Sequence, residues 1–289
     1  RSSKTRMHIS HFKSLGRSSW NYFSKALEMV ETARKEGVKI TYDFFPYTKT
    51  GSSLFAALPP WFRKYSPEEA NLILSSAGDK RRQELKDYLK KMTLHYDKII
   101  IASAASGFGI TGKTIRQIAD ESGRDGEEVI LNLLEANDLR VSIFNEVISE
   151  FNLELIAKDR FSAVSSDGVG YDFTAQKTND LPHPRSFGAF PRAISQLTRK
   201  KEIMSLEIMI SKMTGLPAHI IGIKDRGTIE KGKKADLVVF DERLIEDAAT
   251  YENPFAPSSG IQYVFVNGQA VISSGKTTGL LPGKVLRNQ

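Results

Sequence analysis

Cysteine is absent from the 289 residues. That rules out disulfides and thiolate metal ligands within this stretch, and the expectation it sets is a cytoplasmic protein. Long apolar runs are missing too: none approaches the roughly 20 residues that a membrane-spanning helix needs. The first ten residues are polar and basic, with no apolar segment of the kind a secretory signal carries, and they begin with Arg1 rather than Met. The expected reading is a processed chain, or one that begins inside a longer gene product. Internal repeats and low-complexity tracts are lacking as well. Nor is there a commanding surplus of one charge. The 41 Lys and Arg exceed the 34 Asp and Glu by seven, and the most basic run, residues 79–91, interleaves Glu84 and Asp87. This is the texture of a solvated helix face, not of a nucleic-acid groove.

What is present reads first as alternating strand and helix. Residues 7–11 are a strand candidate. Residues 18–36 follow as a helix whose apolar stripe runs through Trp20, Phe23, Leu27, Val30 and Ala33, with Ser18 or Ser19 to cap it and Gly37 to end it. Residues 38–47 (VKITYDFFPY) are rich in β-formers. Strand, helix and strand within about 40 residues predict a βαβ unit, hence parallel strands and an α/β fold. Residues 58–160 break the rhythm with Pro59-Pro60, charged helices at 67–76 and 80–92, a strand at 98–102 and a helix at 126–136. They read as an insertion or subdomain. A strand at 161–165 runs into Ser166-Asp167-Gly168, a long polar loop reaches Arg192, and helices cover 193–214. Short strands at 227–231, 235–241, 261–266 and 269–273, with the turn Asn267-Gly268, predict a small all-β unit at the end.

Few residues stand out for chemistry. In His8-Ile9-Ser10-His11, strand alternation would send the two histidines to opposite faces. Asp167 would lie at the carboxy-terminal edge of parallel strands, where α/β folds place their sites, although Asp-Gly at a strand end also serves simply as a turn. Residues 107–114, GFGITGKT, satisfy the phosphate-loop pattern, with Lys113 and Thr114 as the phosphate and Mg²⁺ contacts. Against that reading, residues 103–106 separate the apolar run from Gly107, and no series of strand–helix units follows. His183 is as readily a loop residue as a site residue, and His8, His95 and His219 read as structural.

Longer stretches carry more. Residues 214–241 (TGLPAHIIGIKDRGTIEKGKKADLVVFD) and 264–271 (VFVNGQAV) resemble the carboxy-terminal signature of the amidohydrolase superfamily. HISHFK at 8–13, DFFPYT at 43–48, and SSDG at 165–168 with HPRSFGAFPR at 183–192 resemble its N-acyl-D-amino-acid deacylase (D-aminoacylase) branch, in the same order. The resemblance implies a partial (β/α)₈ barrel: strands six and seven in residues 1–57, an insertion at 58–160, strand eight and its helices at 161–226, and part of a small β-sandwich at 227–289. It implies zinc-dependent hydrolysis of N-acyl-D-amino acids, with His11 and Asp167 at the metal and Asp167 as general base. Lys13 and Arg185 would receive the substrate carboxylate. Phe45 stands where the family usually has tyrosine, and Tyr47 is the residue offered in its place. The family's remaining metal ligands fall upstream of Arg1, so the resemblance further implies a missing amino-terminal half and an isolated chain that is inactive. The runner-up is a cyclic-amide hydrolase of dihydroorotase or hydantoinase type, which should lack HPRSFGAFPR. A non-catalytic half that needs a separate chain stands beside it.

Overall fold

The computed structural model describes residues 5–92, 94–106, 109–171 and 180–286. Strand β1 (Met7–Ile9) and strand β2 (Ile40–Phe44) pair in parallel, Met7 against Ile40. Between them a 3₁₀ turn, Arg17–Tyr22, leads into helix α1 (Phe23–Lys35). Neither Ser18 nor Ser19 caps it as the sequence suggests. The Ser19 hydroxyl instead donates to the carbonyls of Leu15 and Gly16, which tightens the entry. Gly37, at φ 90°, ends the helix in a conformation that costs other residues more. Phe23 and Val30 are buried on the predicted stripe, with Leu27 and Ala33 packed beside them.

A second sheet then interrupts the parallel one. Strand β3 (Lys49–Ser53) is followed by helices α2 (Pro67–Ser75) and α3 (Lys80–Lys91), strand β4 (Ile99–Ala104), helices α4 (Ile115–Ser122) and α5 (Gly126–Ala136), and strand β5 (Val141–Glu146). The three strands form an antiparallel sheet in the order β3-β5-β4. The local chemistry explains the helices: Ser66 with Glu69, and Thr114 with Gln117, form reciprocal capping boxes, which satisfy amide donors that a helix start leaves orphaned. This sheet takes in Lys49, ahead of the change in sequence texture at Leu58. Its core gathers Leu54, Phe62, Leu85, Leu89, Ile101 and Leu131 among others.

The chain returns through helix α6 (Glu150–Lys158) to strand β6 (Ser162–Val164), which pairs in parallel with β2. The parallel sheet runs β1-β2-β6. Its core joins Tyr42 and Phe44 of β2 to Phe23, Ile156, Leu197 and Met209 from the covering helices. Helix α7 (Arg185–Arg192) follows, continuous with a π-helical segment at Ala193–Lys200, and after a short break come helices α8 (Leu206–Met213) and α9 (Gly215–Ile221). Residues 185–192 are therefore a helix and not the loop that their Pro and Gly suggest. Beneath α8, the ammonium of Lys212 donates to the carbonyls of Asp159 and Ser162 and to the Ser162 hydroxyl, pinning the helix to the start of β6.

The last unit is a four-stranded antiparallel sheet of β7 (Leu237–Phe240), β8 (Ile261–Val266), β9 (Gln269–Ser273) and β10 (Lys276–Thr277). Asn267 and Gly268 turn β8 into β9 with φ of 48° and 81°, the paired positive values of a tight hairpin. The strand predicted at 227–231 is instead irregular chain. No helix among the described residues is long and apolar enough to cross a membrane.

Candidate functional site

The carboxy-terminal ends of the parallel strands are tied together by one carboxylate, that of Asp43 on β2. Its Oδ1 accepts from the His11 amide at 2.8 Å and from the Ser165 hydroxyl at 2.7 Å. Its Oδ2 lies 2.8 Å from His8 Nε2, and His8 Nδ1 is 2.8 Å from the Thr41 hydroxyl. A partly buried carboxylate needs such partners, and these come from β1, from the turn that follows it and from the residue that follows β6. Strand β1 ends at Ile9, so alternation does not extend to His11, which sits in a turn at φ 42°. The Asp43 bond to its amide holds that turn.

Asp167 follows β6 in a turn of its own, at φ 46°, a region that Asp tolerates better than most residues. Gly168 beside it is required by close approach: a Cβ there would lie 2.7 Å from Ser186 Cα. The Ser186 hydroxyl accepts the Val169 amide at 3.2 Å. The turn is thus docked onto the first turn of α7, where Arg185 Nη1 meets Asp167 Oδ2 at 2.8 Å.

Lys13 and Arg185 meet on Phe45, whose ring lies 5.2 Å from the ammonium and 4.8 Å from the guanidinium carbon. Phe45 therefore holds two cations by its π-face. Lys13 also donates to the His11 carbonyl at 3.0 Å. Burial pulls its pKa below the ordinary lysine value, opposed by the charge of Asp167. Asp167, Arg185, Ser186, Tyr171 and Phe255, together with Ser52, Ser103 and Phe144 of the antiparallel sheet, line an open cleft of about 700 Å³. His11 and Lys13 line a smaller apolar recess with Phe45 and Asn152.

His11, Lys13, Asp167 and Arg185 are thus gathered at one end of the parallel sheet. Tyr47 is not: it is buried with Phe45, Ile148 and Ala189, its ring under Arg192, its hydroxyl unpaired among the described residues. Burial pushes its pKa well above the tyrosine range. Sequence reasoning missed Asp43, the one signal being an acid inside the apolar run VKITYDFFPY. It also passed over His8, which that acid engages. Of the phosphate-loop pattern, Gly107 and Phe108 lie outside the described residues. Lys113 is paired with Glu121 at 2.7 Å, and the Thr114 hydroxyl is occupied in capping α4.

Parallel strands with helices packed on the sheet, and a carboxylate and two cations gathered at the strands' carboxy ends, are the arrangement of a partial α/β barrel. The chain belongs to the amidohydrolase family, whose sequence model matches residues 102–272. It is 28% identical, over 96% of its length, to the N-acyl-D-glutamate deacylase of Alcaligenes xylosoxydans xylosoxydans, and covers 48% of that protein. To the D-aminoacylase of the same organism it is 33% identical over 61% of its length, covering 34% of that protein. Its fold matches the solved N-acyl-D-glutamate deacylase of Bordetella bronchiseptica, complexed with zinc and a phosphonate mimic of the tetrahedral intermediate. There the TM-score is 0.73 and the identity 27%, over all of this chain and 51% of that one. The chain spans about half the length of that first curated relative. Dihydroorotases align over less, 34% of this chain for that of Lactobacillus acidophilus.

Proposed function

We propose that this chain serves the hydrolysis of the amide bond of N-acyl-D-amino acids. The observation that carries the reading is Asp167, at the end of β6, paired with Arg185 at 2.8 Å on the wall of an open cleft. Similarity to deacylases over nearly the whole chain supports it.

In this reading the substrate's carboxylate enters between Lys13 and Arg185 and draws the guanidinium from Asp167. Asp167 is then free to take a proton from the water that attacks the acyl carbonyl, and it returns that proton to the leaving amine nitrogen. Phe45 holds both cations by its ring, and Tyr47 backs Phe45 from the protein side. His11 and Asp167 have the donor chemistry of a zinc site. Zinc, when bound, lowers the pKa of water and polarises a carbonyl. Among the described residues, however, no three His, Cys, Asp or Glu side chains converge, whereas a catalytic zinc takes about three protein ligands. We infer that the remaining ligands come from polypeptide outside the 289 residues, and that the chain alone is inactive.

The test is Asp167→Asn, made in the enzyme assembled with that polypeptide. The amide is nearly isosteric but takes no proton, so kcat is expected to fall by about 100-fold or more with the folded state retained. A variant that turned over at close to the wild-type rate would exclude Asp167 as the base.

A further inference from the structure

His183 precedes α7 and is 7% exposed. Four rings enclose its imidazole edge-on, those of Phe45, Tyr47, Phe144 and Tyr251, with centroids at 6.4, 5.2, 5.3 and 5.1 Å. Nε2 lies 3.0 Å from the Lys49 carbonyl of β3. A carbonyl only accepts, so Nε2 carries the hydrogen and Nδ1 of the neutral ring is bare. Nδ1 in turn accepts the Arg185 amide at 3.1 Å. Both nitrogens are used, and the tautomer is dictated.

The same amide belongs to the residue that pairs with Asp167. A continuous connection therefore runs from the β3 carbonyl through the imidazole to the Arg185 backbone, and from its guanidinium to the cleft. Helix α7 has no side-chain cap at Pro184, so His183 supplies the acceptor that the first amide would otherwise lack. Phe144, on β5, holds the ring from the antiparallel side.

We propose that His183 is a positioning residue, which fixes Arg185, and with it the carboxylate-binding side of the cleft, to the antiparallel sheet. The kinetic part of this proposal rests on the deacylase reading; the structural part does not. A protonated ring would set an N–H on Nδ1 against the Arg185 N–H, donor against donor. Burial opposes that form, pushing the pKa down to about 3, with the Lys49 carbonyl bond acting the other way.

Two substitutions separate the two bonds. In His183→Asn the side-chain oxygen stands near the place of Nδ1, keeping an acceptor for Arg185 and losing Lys49. In His183→Gln the longer amide can still donate to Lys49, while the Arg185 amide loses its acceptor. Hydrogen exchange at the Arg185 amide in the 289-residue chain should quicken about tenfold in the Gln variant, the worth of one hydrogen bond. It should stay within about twofold of wild type in the Asn variant. In the assembled enzyme, KM for N-acetyl-D-glutamate should rise about tenfold in the Gln variant with kcat within about twofold. The rise should vanish for the analogue whose α-carboxylate is a carboxamide. Wild-type exchange in the Gln variant would overturn the proposal, as would a KM rise that persists with the carboxamide. Absence of turnover by wild type would instead remove the deacylase reading, with amide exchange still deciding the role of His183.

Discussion

A single buried imidazole sets a pH dependence with a definite sign. His183 is neutral in the folded chain, its pKa lowered from 6.5 to about 3 by burial, whereas the unfolded chain takes up that proton near the ordinary value. The folded pKa is depressed, so the neutral ring's contribution is full above about pH 6.5 and is lost as pH falls toward about pH 3. Arg185, Arg192 and Lys49 face the ring and reinforce the effect. Between about pH 7.5 and about pH 4.5 the loss from this group should be about 2–3 kcal/mol. Urea midpoints of wild type and His183→Asn across that range isolate it from the carboxylates, and an equal drop in both would refute it. At this scale whole motifs singled out His11, Lys13, Asp167 and Arg185, which the fold gathers at one end of the parallel sheet, and their roles there are a proposal. Asp43 was not legible, because what gives it meaning is His8, 35 positions away on the neighbouring strand.

Among the elements, those with a strong local pattern stood out and those made by pairing did not. Helix α5 and strands β8 and β9 fall where periodicity and turn residues place them. Strand β3, KTGSS, has no apolar alternation, and its strand character comes from the register with β5, Lys49 against Glu146. Helix α7 was hidden for the opposite reason, since Gly188 and Pro191 in RSFGAFPR favour a loop. Tertiary contacts override them. A Cβ on Gly188 would stand 2.6 Å from Asp247 Cβ and 3.0 Å from the Tyr47 hydroxyl, so the glycine admits the segment after β7 to the helix surface. In an exposed helix, Gly→Ala stabilises by about 1 kcal/mol. Gly188→Ala should instead destabilise by about 1–3 kcal/mol through overpacking, measured by urea titration. A stabilised variant would mean that the neighbouring chain yields freely.

At the scale of the molecule, the described residues form two principal cores that share no strand. One, around the antiparallel sheet, draws on residues from Leu54 to Ile143. The other, on the parallel sheet, joins Phe23 to Ile245. The first closes shorter loops, and closure entropy rises with loop length, so it needs less of the chain ordered at once. The two tryptophans report on them separately. Trp61, itself exposed, packs edge-on at 5.7 Å against Phe62 of the first core. Trp20 donates to the Val147 carbonyl at 2.9 Å, and its own carbonyl accepts from Asn152 of α6, beside the second. Unfolding is therefore expected not to be two-state. In Trp20→Phe and Trp61→Phe chains, each with one reporter left, the Trp61 transition should come at higher urea, by about 0.5 M or more, and the Trp20 transition first. The separation should widen in Tyr42→Phe,Met209→Ala, which empties volume only in the parallel-sheet core and should leave the Trp61 midpoint unmoved. Coincident midpoints that shift together in that variant would show the two cores to be one cooperative unit.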